Sequence, residues 1–262
     1  MPGEHLITPD WPDMPAGVGA IATSRLGGVS PAPYGDGAGG GGLNLGEHVG
    51  DDPVQVGLNR ARLRQSLPGE PAWLSQVHGV AVVDAATVRP GQPVRVGDAS
   101  IASVPGAVCV VMTADCLPVL FASRDGKVVG AAHAGWRGLA AGVLAETVAA
   151  MRAAGAGGIT AWLGPAIGPA QFEVGSDVFD SFMAGTQGLD EASQTGQCFV
   201  PFPGRPGKYL ADIYGLARIM LARDRVTDVS GGSYCTASEP GRFYSYRRDQ
   251  VTGRHASLIW IK

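Results

Sequence analysis

Three segments of the chain each place a potential metal ligand where an apolar run gives way to a turn: "SQVHG" with His78, "TADCLPVLF" with Cys116 and "AAHAGW" with His133. Two imidazoles and a thiolate suit zinc, and three protein ligands leave a fourth position open for water or substrate, which is the catalytic arrangement. The separations match no compact zinc motif, so the donors meet only if the fold gathers the three turns. The same residues admit other readings. Cys116 can act as a nucleophile with His133 as its base, and each side chain taken alone can be packed or hydrogen-bonded.

The corner after His133 carries more polar chemistry than packing asks for. Arg137, one helical turn on, presents a planar fork of donors that suits a phosphate beside a metal; a helix-surface ion pair is the competing role. Trp136 suits the core or a base-stacking platform. Asp115 precedes Cys116, where it can orient a ligand, shuttle a proton or stabilise the turn. Arg25 in "TSRLGG" is a second candidate anion contact or an ordinary surface arginine. Asn44 can line the same pocket or form a turn. "YSYRRDQ" reads as a solvated charge cluster, and "GPAIGP" as a rigid turn. His48 and His255 lack neighbours that make a ligand, His5 lies near a chain end, and Cys109, Cys198 and Cys235 read as structural thiols.

The elements that must position these groups are legible from periodicity. "GAVCVVMTA", "LPVLFAS" and "KVVGAAHA" are near-continuous apolar runs, as expected of strands buried on both faces. "GVGAIATS", "ITAWLG" and "HASLIWIK" add strands, and "AWLSQVHG" and "VAVVDA" read as two strands flanking a turn at His78 and Gly79. "PVQVGLNRARLRQSL" reads as a helix capped by Asp51 or Asp52. Ala140, Leu144, Val148 and Met151 recur at helical spacing. "SDVFDSFMAG" reads as a short helix capped by Ser176, and "LADIYGLARIMLARD" as an amphipathic one with Leu210, Ile213, Tyr214, Ala217 and Leu221 on one face. Mixed strands and helices with doubly buried strands predict a layered α/β (mixed α+β) domain. A single domain over 1–262 is expected, with a mobile glycine-rich loop at 35–42.

Composition narrows the function. The 262 residues are 45% hydrophobic, enough for a sizeable core. Charged residues make up 16% and the formal net charge is -3, with no basic patch that points to nucleic acid. No apolar run approaches the roughly 20 residues a bilayer span needs, and "MPGEHLITPDWPDMP" has no secretory h-region. Four dispersed cysteines with no CxxC read as free thiols. A cytoplasmic protein is expected, with neither nucleic acid nor membrane as partner.

The ligand-bearing segments, together with "GPAIGPAQFEV", "YCTASEPGRFYSYRRDQVTGRHASLIWI", "TSRLGGVSPAPYG" and "LNLGEHVGDDP", resemble the YfiH family, also called laccase-domain proteins, polyphenol oxidases or purine nucleoside phosphorylases. The resemblance runs in family order from Thr23 to the C-terminus; the glycine expansion at Gly37 to Gly42 departs from it. It implies a layered sandwich with two β-sheets flanked by helices. It also implies zinc held by His78, Cys116 and His133 as the catalytic site, with purine nucleosides and phosphate as substrates. The implied reactions are phosphorolysis of adenosine, inosine, guanosine and methylthioadenosine, and deamination of adenosine. Three rivals stand beside this. A copper-dependent polyphenol oxidase is disfavoured, because five histidines cannot supply the roughly ten imidazoles of a multicopper site. A cysteine hydrolase would use Cys116, with peptidoglycan-precursor editing as the implied role. A non-enzymatic binding protein would close the metal site with a fourth ligand.

Overall fold

A computed structural model describes residues 5–262; Met1 to Glu4, which open the segment expected to carry no secretory signal, lie outside the described residues. The three apolar runs fold as Val108–Thr113, Leu117–Ser123 and Val129–Ala134, and every residue of all three strands is buried. Because side chains alternate across a strand, each run feeds two cores.

Two sheets stack face to face. The larger has six strands, in the order Val229–Gly231, Ile159–Leu163, Leu117–Ser123, Val129–Ala134, Ala99–Ala102, Val82–Asp84. Its outermost pairings at both ends are parallel, and the others antiparallel. The smaller is antiparallel with four strands, Leu6–Ile7, Val18–Thr23, His255–Ile261 and Val108–Thr113. Leu120, Ala122, Val129 and Ala131 of the larger sheet meet Val18, Ala20, Cys109, Val111 and Ile259 of the smaller. The opposite face of the larger sheet, with Leu117, Val119, Phe121 and Ala132, packs on Leu139, Leu144, Val148, Met151, Leu216 and Leu221 from helices. The outer face of the smaller sheet packs on Leu63 and Leu67. Helix, sheet, sheet and helix form the layers, as expected from the sequence.

Several boundaries differ from the periodicity. The helix after His133 is two helices, Trp136–Ala141 and Val143–Ala153, broken at Gly142, whose φ of 99° is a left-handed conformation that favours glycine. Ser176 is the first residue of its helix rather than the cap, which is Gly175 with no side-chain cap bond. Leu210 lies in the Lys208–Ala211 strand, and Asp212 caps Ile213–Arg223 by accepting from the amides of Tyr214 and Gly215. Asp52, not Asp51, caps Pro53–Arg64. The two strands around His78 are short, Leu74–Ser75 and Val82–Asp84, and pair with different partners rather than each other. The glycine-rich loop is anchored at both ends. Gly35 and Gly42 are buried, Arg25 donates to Gly35 O, and a Cβ at Gly42 would lie 2.0 Å from Tyr34 O.

Candidate metal centre

The strand ends bring the three expected ligands together. The donor atoms of His78, Cys116 and His133 all lie within 4.8 Å of one another. Cys116 Sγ is 3.7 Å from His78 Nε2, and the two imidazole centroids are 4.8 Å apart with planes at 68°. Burial grades across the cluster, with His133 buried, Cys116 half-buried and His78 exposed. No other group of three such donors occurs among the described residues. The cluster therefore has an inner wall of protein and an open side.

Backbone geometry explains how turns can deliver ligands so close. His78 has φ 60° and Asp115 φ 89°, both left-handed and unfavourable for a residue with a Cβ. Asp98 holds the first. Its buried carboxylate accepts from the amides of Val77 (3.1 Å), His78 (2.9 Å) and Gly79 (2.7 Å). Asp115 is held by donors from the C-terminal segment, Thr236 Oγ1 and the Arg247 amide, each 2.6 Å from its carboxylate. Of the roles open to Asp115, this geometry favours stabilising the turn. Gly135 is required by close approach, because a Cβ there would lie 2.8 Å from His78 Cδ2 and 2.9 Å from Cys116 Sγ.

Asp98 does a second job that sequence reading missed. Its Oδ1 lies 2.8 Å from His133 Nδ1, which leaves His133 Nε2 for the cluster. A carboxylate behind a ligating histidine fixes the ring and raises its basicity. Burial would push the Asp98 carboxyl up, but the bonds from His133, Gly79 and Val77 outweigh it and hold it below the usual range. Cys116 shows the same contest: burial opposes ionisation, yet the two imidazoles draw the thiol down to about 6. A thiolate is the form that binds metal.

A cavity of about 590 Å³ opens over the cluster, a volume typical of small-molecule sites. Trp136 and Arg137 line it, with the Arg137 guanidinium 4.4 Å from the Trp136 ring centroid. Arg137 is exposed, and no carboxylate of the described residues pairs with it, which removes the ion-pair reading. His48, Tyr246, Arg247 and Arg254 also line the cavity, so the "YSYRRDQ" segment, expected as a solvated charge cluster, instead contributes Tyr246 and Arg247 to the cavity wall. The signal for His48 and Arg254 was positional only: His48 follows Asn44 by four residues, and Arg254 immediately precedes the last strand.

Arg25 and Asn44 are not on the cavity wall. Arg25 is buried and gives its donors to the carbonyls of Gly35 and Pro240. Asn44 is buried and donates to Asp51 and Gly46. Direct phosphate contact, expected of both, has no support from this placement, because their polar atoms are already used by the fold. His255 is buried against Phe243, away from the ligand set. A second, smaller hollow around Arg60 and Trp73 contains none of the three ligands.

Residues 19–262 match the family model described as "Multi-copper polyphenol oxidoreductase laccase". The chain is 52% identical to a purine nucleoside phosphorylase of Pseudomonas aeruginosa, covering 98% of each chain. It is 51% identical to the purine nucleoside phosphorylase YfiH of Escherichia coli, again over 98% of each. A crystal structure of a Neisseria meningitidis protein, 46% identical, superposes with a TM-score of 0.88 over 99% of this chain and 100% of that one. YlmD from Geobacillus stearothermophilus, 29% identical, gives 0.84 over 100% and 98%.

Proposed function

We propose that this chain, which belongs to the laccase-domain (YfiH) family, is a zinc-dependent purine nucleoside phosphorylase that also deaminates adenosine. The observation that carries the reading is the convergence of one thiolate and two imidazoles at the base of a nucleoside-sized cavity lined by unpaired arginines. The relatives named as purine nucleoside phosphorylases support it. Adenosine, inosine, guanosine and methylthioadenosine are the substrates proposed. No helix among the described residues is long and apolar enough to cross a membrane, and the four cysteines are free. A cytoplasmic site of action is part of the proposal.

The donor set fits zinc: soft sulfur, two nitrogens, and a ring fixed from behind by a carboxylate. Zinc bound there supplies Lewis acidity and favours ionisation of water or phosphate. The protein does the rest. Asp98 holds His133 and the His78 turn in place, and Cys116 contributes the only negative charge among the ligands. Trp136 packs against the core and carries Arg137 on its ring at the cavity wall. Arg137 offers two parallel N–H donors to a phosphate oxygen pair. Copper in the same position is less suited, because the ligand set has nothing of the histidine-rich cluster that multicopper oxidation needs.

Phosphate-dependent release of hypoxanthine from inosine tests the reading, with ribose 1-phosphate formed in equal amount. In the same assay Arg137→Lys keeps the charge and loses the fork. Its apparent KM for phosphate should rise about ten- to a hundredfold, the worth of one charge-assisted contact. Adenosine deamination uses water and should fall less. Equal loss of both in a folded, metal-loaded variant contradicts a phosphate-specific role.

One observation favours a second reading. Asp98, His133 and Cys116 are also in the order of a hydrolase triad, with the carboxylate orienting the base and the base beside an ionised thiol. A cysteine hydrolase acting on peptidoglycan precursors would use them so. A covalent adduct on Cys116, trapped during turnover and mapped by mass spectrometry, would identify it.

A further inference from the structure

We infer that Arg254 and His48 form the phosphate-binding wall of the cavity; the inference rests on the phosphorolysis proposed above. Arg254 is the half-buried one among the arginines lining the cavity, the other two, Arg137 and Arg247, being exposed. Arg247 is engaged with the Glu173 carbonyl at 2.8 Å, while Arg137, which lies over Trp136, is the phosphate contact already proposed, and Arg254 adds to it. The Arg254 side chain reaches only the carbonyls of its own neighbours, Thr252 (3.2 Å) and Gly253 (3.1 Å), both through Nη1. Nε and Nη2 have no partner among the described residues, and no carboxylate of those residues lies within ion-pair distance.

A half-buried guanidinium without a counter-ion is costly, and the cost is recovered when an anion binds. Burial lowers the pKa of Arg254, and the nearby Cys116 and Asp115 offset this only in part. A divalent ion on the ligands would leave the centre net positive after the single thiolate. Arg254 would then add its charge to that of the centre in one cavity, and a dianion bound there would satisfy both.

The wall is built rather than incidental. Asn44 Oδ1 accepts from the Arg254 amide at 2.9 Å and from the Gly46 amide at 3.0 Å. Asn44 Nδ2 donates to Asp51 Oδ2 at 2.8 Å. The Leu45 amide donates to Arg254 O at 3.1 Å. Gly46 packs on the arginine stem so closely that a Cβ there would lie 2.8 Å from Arg254 Cγ. The turn that follows, Glu47–Val49, carries His48 into the same cavity. One buried amide thus couples the start of the last strand to the His48 turn. Asn44 is a positioning residue for this wall, without touching the ligand. The His48 ring, exposed toward the cavity, can offer an N–H to the anion.

Titration calorimetry with inorganic phosphate tests the wall without turnover, using zinc-loaded wild type, Arg254→Gln, Arg254→Lys and His48→Ala. Zinc content and melting temperature are checked for each. Arg254→Gln should weaken phosphate binding about ten- to a hundredfold, and His48→Ala about two- to tenfold. Arg254→Lys should fall between wild type and Arg254→Gln, and inosine binding without phosphate should change less than about twofold in all three. Equal phosphate affinity in wild type and a folded, loaded Arg254→Gln overturns the inference. A parallel titration with adenosine 5′-monophosphate separates free phosphate from a nucleotide's own. If Arg254→Gln loses the nucleotide and keeps inorganic phosphate, the assignment to free phosphate is overturned. Phosphate binding that depends on Arg254 in a protein without phosphorolysis supports the wall and refutes the activity; phosphorolysis untouched in Arg254→Gln does the reverse.

Discussion

Cys116→Ser is expected to remove bound zinc and to lower kcat/KM for phosphorolysis by more than about 100-fold, beyond the cost of losing a group that only orients a ligand. The hydroxyl keeps the shape of the side chain but is not ionised at neutral pH, so the anionic ligand disappears. The two imidazoles that remain, His78 and His133, are held in place by Asp98, but two neutral donors are a poor site for a divalent ion. Half-burial of Cys116 and the small volume change leave folding nearly untouched. A melting curve should therefore separate a chemical loss from an unfolding one. The variant also discriminates between mechanisms. If Cys116 were the nucleophile of a hydrolase, serine would abolish activity while zinc, if bound at all, would not follow it.

Asp98→Asn is expected to weaken zinc binding about ten- to a hundredfold and to destabilise the protein as well. The carboxylate faces four donors: the amides of Val77, His78 and Gly79, and His133 Nδ1. An amide replaces one acceptor oxygen with an NH2 group, which would point at N–H groups whichever way it turned. Each buried donor left without an acceptor costs on the order of 1–3 kcal/mol. The left-handed backbone of His78 loses its restraint at the same time. The pH dependence follows from the depressed carboxyl. Its pKa is lower in the folded chain than in the unfolded one, so folding favours the ionised form. The stabilisation it provides is complete above the unfolded value of about 4 and is lost as pH falls through the folded value. Melting temperatures measured from neutral to acid pH should show a steeper acid-side decline in wild type than in Asp98→Asn. Parallel curves would place the acid sensitivity elsewhere.

Much of this site was legible because its ligands end strongly patterned strands. Cys116 and His133 bracket apolar runs long enough to announce buried strands, and "AAHAGW" marks the turn at which the chain leaves the sheet. Asp98 was not legible: one acidic residue before "ASIA" gains meaning only when the Ala99–Ala102 strand is laid beside Val129–Ala134. His48 and Arg254 were missed for the same reason, since the buried Asn44 that bonds both Arg254 and Gly46, two residues before His48, joins segments far apart in sequence. Arg25, expected as an anion contact, and Asn44, expected to line the same pocket, instead have their donors taken up by backbone carbonyls and the buried Asp51. The three-stranded sheet of Glu173–Gly175, Lys208–Ala211 and Phe199–Pro201 escaped because three- and four-residue strands are too short to show a period. Leu210 was drawn into the following helix by its apolar character, although Asp212 starts the helix after it.

If His78, Cys116 and His133 hold a catalytic metal, activity must come and go with it. Metal analysis of the purified chain, combined with inosine phosphorolysis before and after chelation, tests this most directly. About one zinc per chain is expected, with loss of phosphorolysis when the metal is removed and recovery when zinc is restored. Full phosphorolysis in a chain stripped of all metal would contradict it.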